Sequence, residues 1–139
     1  QAIAASDEAS SVYVGCDSIR YRKGEDWYAR YATVVVLHHA SANGASMFSQ
    51  TVTKRDYGHL KVRLLTEVDL AVQAALHVID HLDGRPLELH VDINTNPCHK
   101  SAVAVSEATG YVFGMLGFSP KFKPESWAAA HAADHSVRK

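Results

Sequence analysis

The run WYARYATVVVLHHA at positions 27–40 constrains the fold more than any other stretch of the chain. Side chains that are aromatic or branched at Cβ lose rotamer freedom in a helix and pack well on a pleated surface, so this run reads as a long strand. Asn43-Gly44 follows it, a pair that tolerates positive φ and marks a tight hairpin, and SMFSQTVTK (46–54) supplies a third strand. Upstream, VYVGCD (12–17) is a shorter apolar strand. It is joined to the long one by a polar link from Ile19 to Asp26 that carries Arg20, Arg22 and Lys23 around Gly24. The small, polar residues 1–11 are expected to be frayed or disordered, and 12–139 to form one domain.

Helical spacing then takes over. Leu60, Leu64, Val68, Val72, Leu76 and Ile79 recur every three or four residues, which predicts a helix from Leu60 to Leu82, stopped by Asp83-Gly84-Arg85-Pro86. Leu87–Asp92 reads as a fourth strand, and Asn96-Pro97 as a turn. A second helix is expected from Ser101 to Leu116 with Gly117 as a left-handed cap, then a last strand over 118–123. Pro124 and Glu125 suit the first turn of a final helix running toward Val137. The order β-β-β-α-β-α-β-α implies an α/β fold: a five-stranded mixed sheet, with an antiparallel trio, right-handed crossovers and helices on both faces.

Four acids stand in apolar or small-residue surroundings along this frame: Asp17 in VGCDS, Glu67 in LLTEVDLAVQAAL, Asp92 in LELHVDIN and Asp134 in AAAHAADHS. Collecting several carboxylates away from water is costly unless a cation compensates, and hard carboxylate oxygens suit magnesium or manganese. Two such ions about 3.5–4 Å apart are the usual apparatus for displacement at a phosphodiester. The acids therefore point to a metal-dependent nuclease. On the first helix the choice between Glu67 and Asp69 stays open, because the two flank opposite edges of the apolar stripe.

Charge and cysteine usage remove several alternatives. Lys and Arg number 14 against 15 acids in 139 residues, so there is no global attraction to polyanions and any nucleic-acid contact must be local. The two cysteines, Cys16 and Cys98, form no CxxC pair, and neither they nor any serine sits in an elbow or triad context. No apolar run approaches the ~18 residues of a membrane span, and QAIAASDEASS lacks a charged stretch followed by an apolar one. A cytoplasmic protein with no membrane partner is expected, and a homo-oligomer is left open.

The succession of elements, with an acid on the first strand, the first helix, the fourth strand and the last helix, resembles the ribonuclease H-like superfamily. Within it, VGCDS, HVDIN and above all the tail GFSPKFKPESWAAAHAADHSVRK resemble the YkuK-like family of predicted ribonuclease H-like nucleases. The resemblance implies Asp17, Glu67, Asp92 and Asp134 as catalytic metal ligands for Mg2+ or Mn2+. His131, three residues before Asp134 on one side of the final helix, resembles the His-x-x-Asp pair of some Holliday-junction resolvases, as a ligand, support or proton shuttle. Ser18, Asn94, Lys121, Lys123 and Arg138, near these acids, are candidates for holding substrate phosphates or bases.

The implied activity is two-metal hydrolysis of nucleic acid, with an RNA–DNA hybrid or structured DNA such as a junction as substrate. No basic insertion follows the second helix, which counts against strong hybrid binding. Two competing readings remain: a non-catalytic nucleic-acid- or protein-binding module on the same fold, and a phosphohydrolase acting on a small phosphoester.

Overall fold

A computed structural model describes residues 10–39, 44–82, 84–94, 96, 98 and 100–123. Among these residues five strands and two α-helices follow one another as β1 (Ser11–Lys23), β2 (Asp26–His39), β3 (Gly44–Arg55), α1 (Leu60–Val78), β4 (Leu87–Asn94), α2 (Val105–Leu116) and β5 (Lys121–Lys123). The sheet order is β3-β2-β1-β4-β5. β1 pairs antiparallel with β2, and β2 with β3, whereas β1 and β4, and β4 and β5, run parallel. The mixed five-stranded α/β sheet expected from the order of elements is thus the architecture found.

The alternation of β1 explains which face carries the core. Val12, Val14 and Cys16 point one way and pack with Leu89, Val91 and Ile93 of β4 against the stripe Leu64, Val68, Ala71, Val72 and Ala75 of α1. Fully burying each such valine or leucine is worth about 1.5–3 kcal/mol relative to leaving it exposed, so this layer fixes the register of β1 against β4. Ala108 and Val112 bring α2 into the same cluster, and both described helices share this face. On the opposite face Ala32 and Val34 form a small second cluster with Ile19. The helix expected from Pro124 toward Val137 lies outside the described residues, as do Asn43 of the expected hairpin and residues 1–9. Ser10 is buried and β1 starts at Ser11.

One boundary differs from expectation. The polar link from Ile19 to Asp26 is not a loop: β1 runs on to Lys23 and β2 begins at Asp26, with Lys23 opposite Asp26 across a two-residue turn. Gly24, at φ 67°, supplies the left-handed conformation that this turn requires. Residues 20–28 of this hairpin are exposed or half-buried and polar or amphipathic on both faces, and for that reason they carry no apolar period. Gly117 behaves as expected: at φ 83° it caps α2, and its N–H donates to Phe113 O at 2.9 Å.

Candidate functional site

The parallel β1–β4 ladder ends at the pair Cys16–Val91, so Asp17 and Asp92 stand one step past it on neighbouring strands. Strand spacing there is about 4.8 Å. Below this point β1 continues alongside β2 only, and the crevice at the carboxyl ends of parallel strands opens where open α/β sheets bind ligands. Asp17 is opposite Ala32, a member of the second-face cluster, and Asp92 alternates with Val91 and Ile93 of the main core. Both aspartates therefore belong to the face away from α1.

Glu67 approaches the same crevice from the helix side. It is buried between Leu64 and Val68, and Ser18, which follows Asp17 and points toward α1, donates its hydroxyl to Glu67 Oε2 at 2.5 Å. The Ser18 N–H donates to Asp17 Oδ1 at 2.8 Å, so one serine ties the first-strand and helix carboxylates together. Burial pushes the Glu67 carboxyl well above the ordinary glutamate range. The Ser18 bond opposes that shift, the negative charges of Asp17 and Asp92 add to it, and Arg63 opposes it weakly. Asp69 is placed otherwise: Tyr111 of α2 donates its hydroxyl to Asp69 Oδ1 at 2.5 Å, on the side of α1 away from the crevice. Of the two helix acids left open by sequence, Glu67 is thus the one that faces the sheet beside Ser18 and Asp17.

Lys123 is the cation within this group. Its ammonium lies 2.5 Å from Asp92 Oδ1, and that hydrogen bond raises its pKa despite partial burial, with Asp17 and Glu67 contributing further. A residue expected to hold substrate is therefore the counter-ion of a carboxylate. Lys121 is exposed and pairs with His90, and Asn94 closes β4 opposite Lys123. Asp134, His131 and Arg138 lie outside the described residues. Among the described residues, no three His, Cys, Asp or Glu side chains lie close enough together to hold one metal ion. The three carboxylates ring the crevice from its two faces without meeting.

Burial drives the Cys16 thiol far above its ordinary range, which leaves it an inert core residue, in line with the absence of a nucleophile motif. The serine bridge was missed from sequence, since Ser18 and Glu67 are 49 positions apart. So was the ion pair of Arg20 Nε with the buried Asp56, at 2.5 Å. Only the adjacency of Ser18 to Asp17 could have hinted at the first.

No helix among the described residues is long and apolar enough to cross a membrane. Comparison with curated proteins and with solved structures finds no match. A family model described as Ribonuclease H-like matches residues 1–138, nearly the whole chain, and the five-stranded mixed sheet agrees with what that resemblance implied. The chain belongs to the ribonuclease H-like family.

Proposed function

We propose that this protein is a nuclease dependent on Mg2+ or Mn2+, with Asp17, Glu67, Asp92 and Asp134 as ligands. The observation that carries the reading is the approach of Asp17, Glu67 and Asp92, from three elements, to the end of the β1–β4 ladder, where burial first and then the charges of Asp17 and Asp92 push the Glu67 carboxyl up. A site that disfavours its own negative charge fits a divalent cation, and its donors are all hard oxygens. When bound, such ions supply the positive charge that lowers the pKa of an attacking water and stabilises the departing oxygen.

The chain's own residues prepare that chemistry. Ser18 orients Glu67 through its hydroxyl and Asp17 through its N–H, so neither carboxylate has to search for its rotamer when the cation arrives. Lys123 holds Asp92 in place and, once displaced from it, presents an ammonium to a phosphate oxygen beside the crevice. His131 is positioned by sequence, three residues from Asp134, to move a proton.

A non-catalytic nucleic-acid-binding module is the second reading, and the Lys123–Asp92 pair favours it, since that carboxylate already has a counter-ion. One experiment separates the readings: labelled single strand, duplex, RNA–DNA hybrid, four-way junction and a small phosphoester are incubated with the protein, with Mn2+, with Mg2+ or with chelator. Metal-dependent cleavage of a nucleic acid supports the nuclease. Binding without cleavage supports the module, and turnover of the small ester alone overturns both.

A further inference from the structure

Although the chain carries a net charge of −1, positions 20–63 hold eight of its 14 Lys and Arg residues and only three of its 15 acids. The β1–β2 hairpin and the neighbouring end of β3 gather much of this surplus. On the face that carries Asp17, alternation and register bring together Tyr21 of β1, Tyr28 and Arg30 of β2, and Arg55 of β3. They form a continuous stack. The Tyr21 and Tyr28 rings lie 5.8 Å apart at 24°, the Arg30 guanidinium stands 5.2 Å from the Tyr21 ring, and Arg55 stands 5.9 Å from Tyr28. Arg55 also reaches the Tyr57 ring at 5.3 Å. Tyr57 is 74% exposed, although a tyrosine has a large apolar ring that folding normally covers.

A purely structural role, a ladder of cation–π contacts stiffening the hairpin, accounts for the pairwise contacts. It does not account for the surplus of positive charge or for a ring left in solvent at the end of the stack. Asp26, which accepts one Arg55 N–H at 2.6 Å, leaves most of that guanidinium's donors for other partners. Rings interspersed with guanidinium groups are complementary to a polymer that carries both flat bases and phosphates. Position supports the same partner. Asp17, Ile19 and Tyr21 share one face of β1 at two-residue intervals, so at 3.3 Å per residue Arg30, opposite Ile19, stands about 7 Å along β1 from Asp17, and Tyr21 about 13 Å. That is the length of roughly four stacked nucleotides.

We propose that the Arg30–Tyr21–Tyr28–Arg55–Tyr57 stack binds single-stranded nucleic acid and leads it toward Asp17. The inference rests on the nucleic-acid reading of the site but not on catalysis. Single strand is the form selected because bases locked in a duplex present no ring face to Tyr57, whereas an unpaired base stacks on it at no pairing cost. The phosphates then fall to Arg30 and Arg55.

The test is fluorescence anisotropy with the full chain in chelator, using labelled single-stranded and duplex oligonucleotides of equal length over a series of salt concentrations. The parent should bind single strand more tightly than duplex. Tyr57→Ala, at an exposed position where folding is not at stake, should weaken single-strand binding about tenfold, while Tyr57→Phe, which keeps the ring, should bind like the parent. Arg55→Ala should flatten the slope of log affinity against log salt by about 0.7, the signature of one lost phosphate contact on a single strand. Unchanged binding by Tyr57→Ala and Arg55→Ala, a preference for duplex, or no binding by the parent would each overturn the proposal. Because no metal is present, retained binding alongside a failed cleavage screen would sink the nuclease reading and leave this inference standing.

Discussion

Glu67→Gln isolates the electrostatic character of the crevice in one substitution. Glu67 is 6% exposed and its carboxyl is held above the ordinary range chiefly by burial, so the folded protein keeps a proton there that the unfolded chain releases near pH 4.3. The sign follows: the folded state binds more protons, so stability is fully present below the unfolded pKa and is lost as pH rises toward the folded value. One proton corresponds to a slope of about 1.4 kcal/mol per pH unit in that window. Gln has the same shape, still accepts the Ser18 hydroxyl and does not titrate. Urea denaturation in chelator, followed by tryptophan fluorescence at several pH values above 4.5, should therefore show the parent losing up to about 1.4 kcal/mol more per pH unit than Glu67→Gln. In melting temperature this is roughly 3–6 °C per pH unit for a domain of this size. Parallel curves for the two proteins would mean that Glu67 is ionised and solvated in the folded state, and the argument from burial would fail.

Mn2+ or Mg2+ should raise the melting temperature by mass action, by about 2.7 kcal/mol of stability at a hundredfold excess over Kd. The rise should grow as pH increases, because binding must displace the Glu67 proton; calorimetry with and without chelator checks both. Arg20→Ala leaves the buried Asp56 carboxylate without its partner and Trp27 without the guanidinium 4.5 Å from its ring. Arg20 itself is partly exposed, so the expected loss is about 2–3 kcal/mol in urea denaturation, below the range for a fully buried pair. Asp134→Asn should reduce metal-dependent cleavage with little change in melting temperature, and His131→Ala should displace the pH profile of cleavage, measured as initial rate.

What sequence made legible divides along physical lines. The helix from Leu60, the α2 cap at Gly117 and the strands around Val14, Val34 and Leu89 follow from apolar periodicity and turn chemistry, both local properties. The hairpin through Gly24 escaped the same reading because alternation reveals a strand only where one face is buried, and Arg20, Tyr21, Arg22 and Lys23 are polar or amphipathic on both faces. At the site, Asp17 and Asp92 were legible as acids in apolar strand sequence, although Asp17, expected to end its strand, stands in the middle of β1. The decision between Glu67 and Asp69 was not, because either edge of a helical stripe looks alike until the sheet on one side and Tyr111 on the other break the symmetry. Lys123 was visible as a basic residue near the site, but its role as counter-ion to Asp92 depends on β5 docking parallel to β4, a pairing that a three-residue strand does not announce.

The most direct measurement compares Asp17→Asn with the parent in metal-dependent cleavage of whichever nucleic acid the screen identifies. Asn keeps the shape that accepts the Ser18 N–H while removing the charge that stands beside Asp92 and acts on Glu67. The variant should fold normally, melt at or slightly above the parent's temperature in chelator because like-charge repulsion is relieved, and lose cleavage with both Mg2+ and Mn2+. A folded Asp17→Asn protein that cleaves at the parent's rate in Mg2+ would show that the crevice at the end of the β1–β4 ladder is not the catalytic centre.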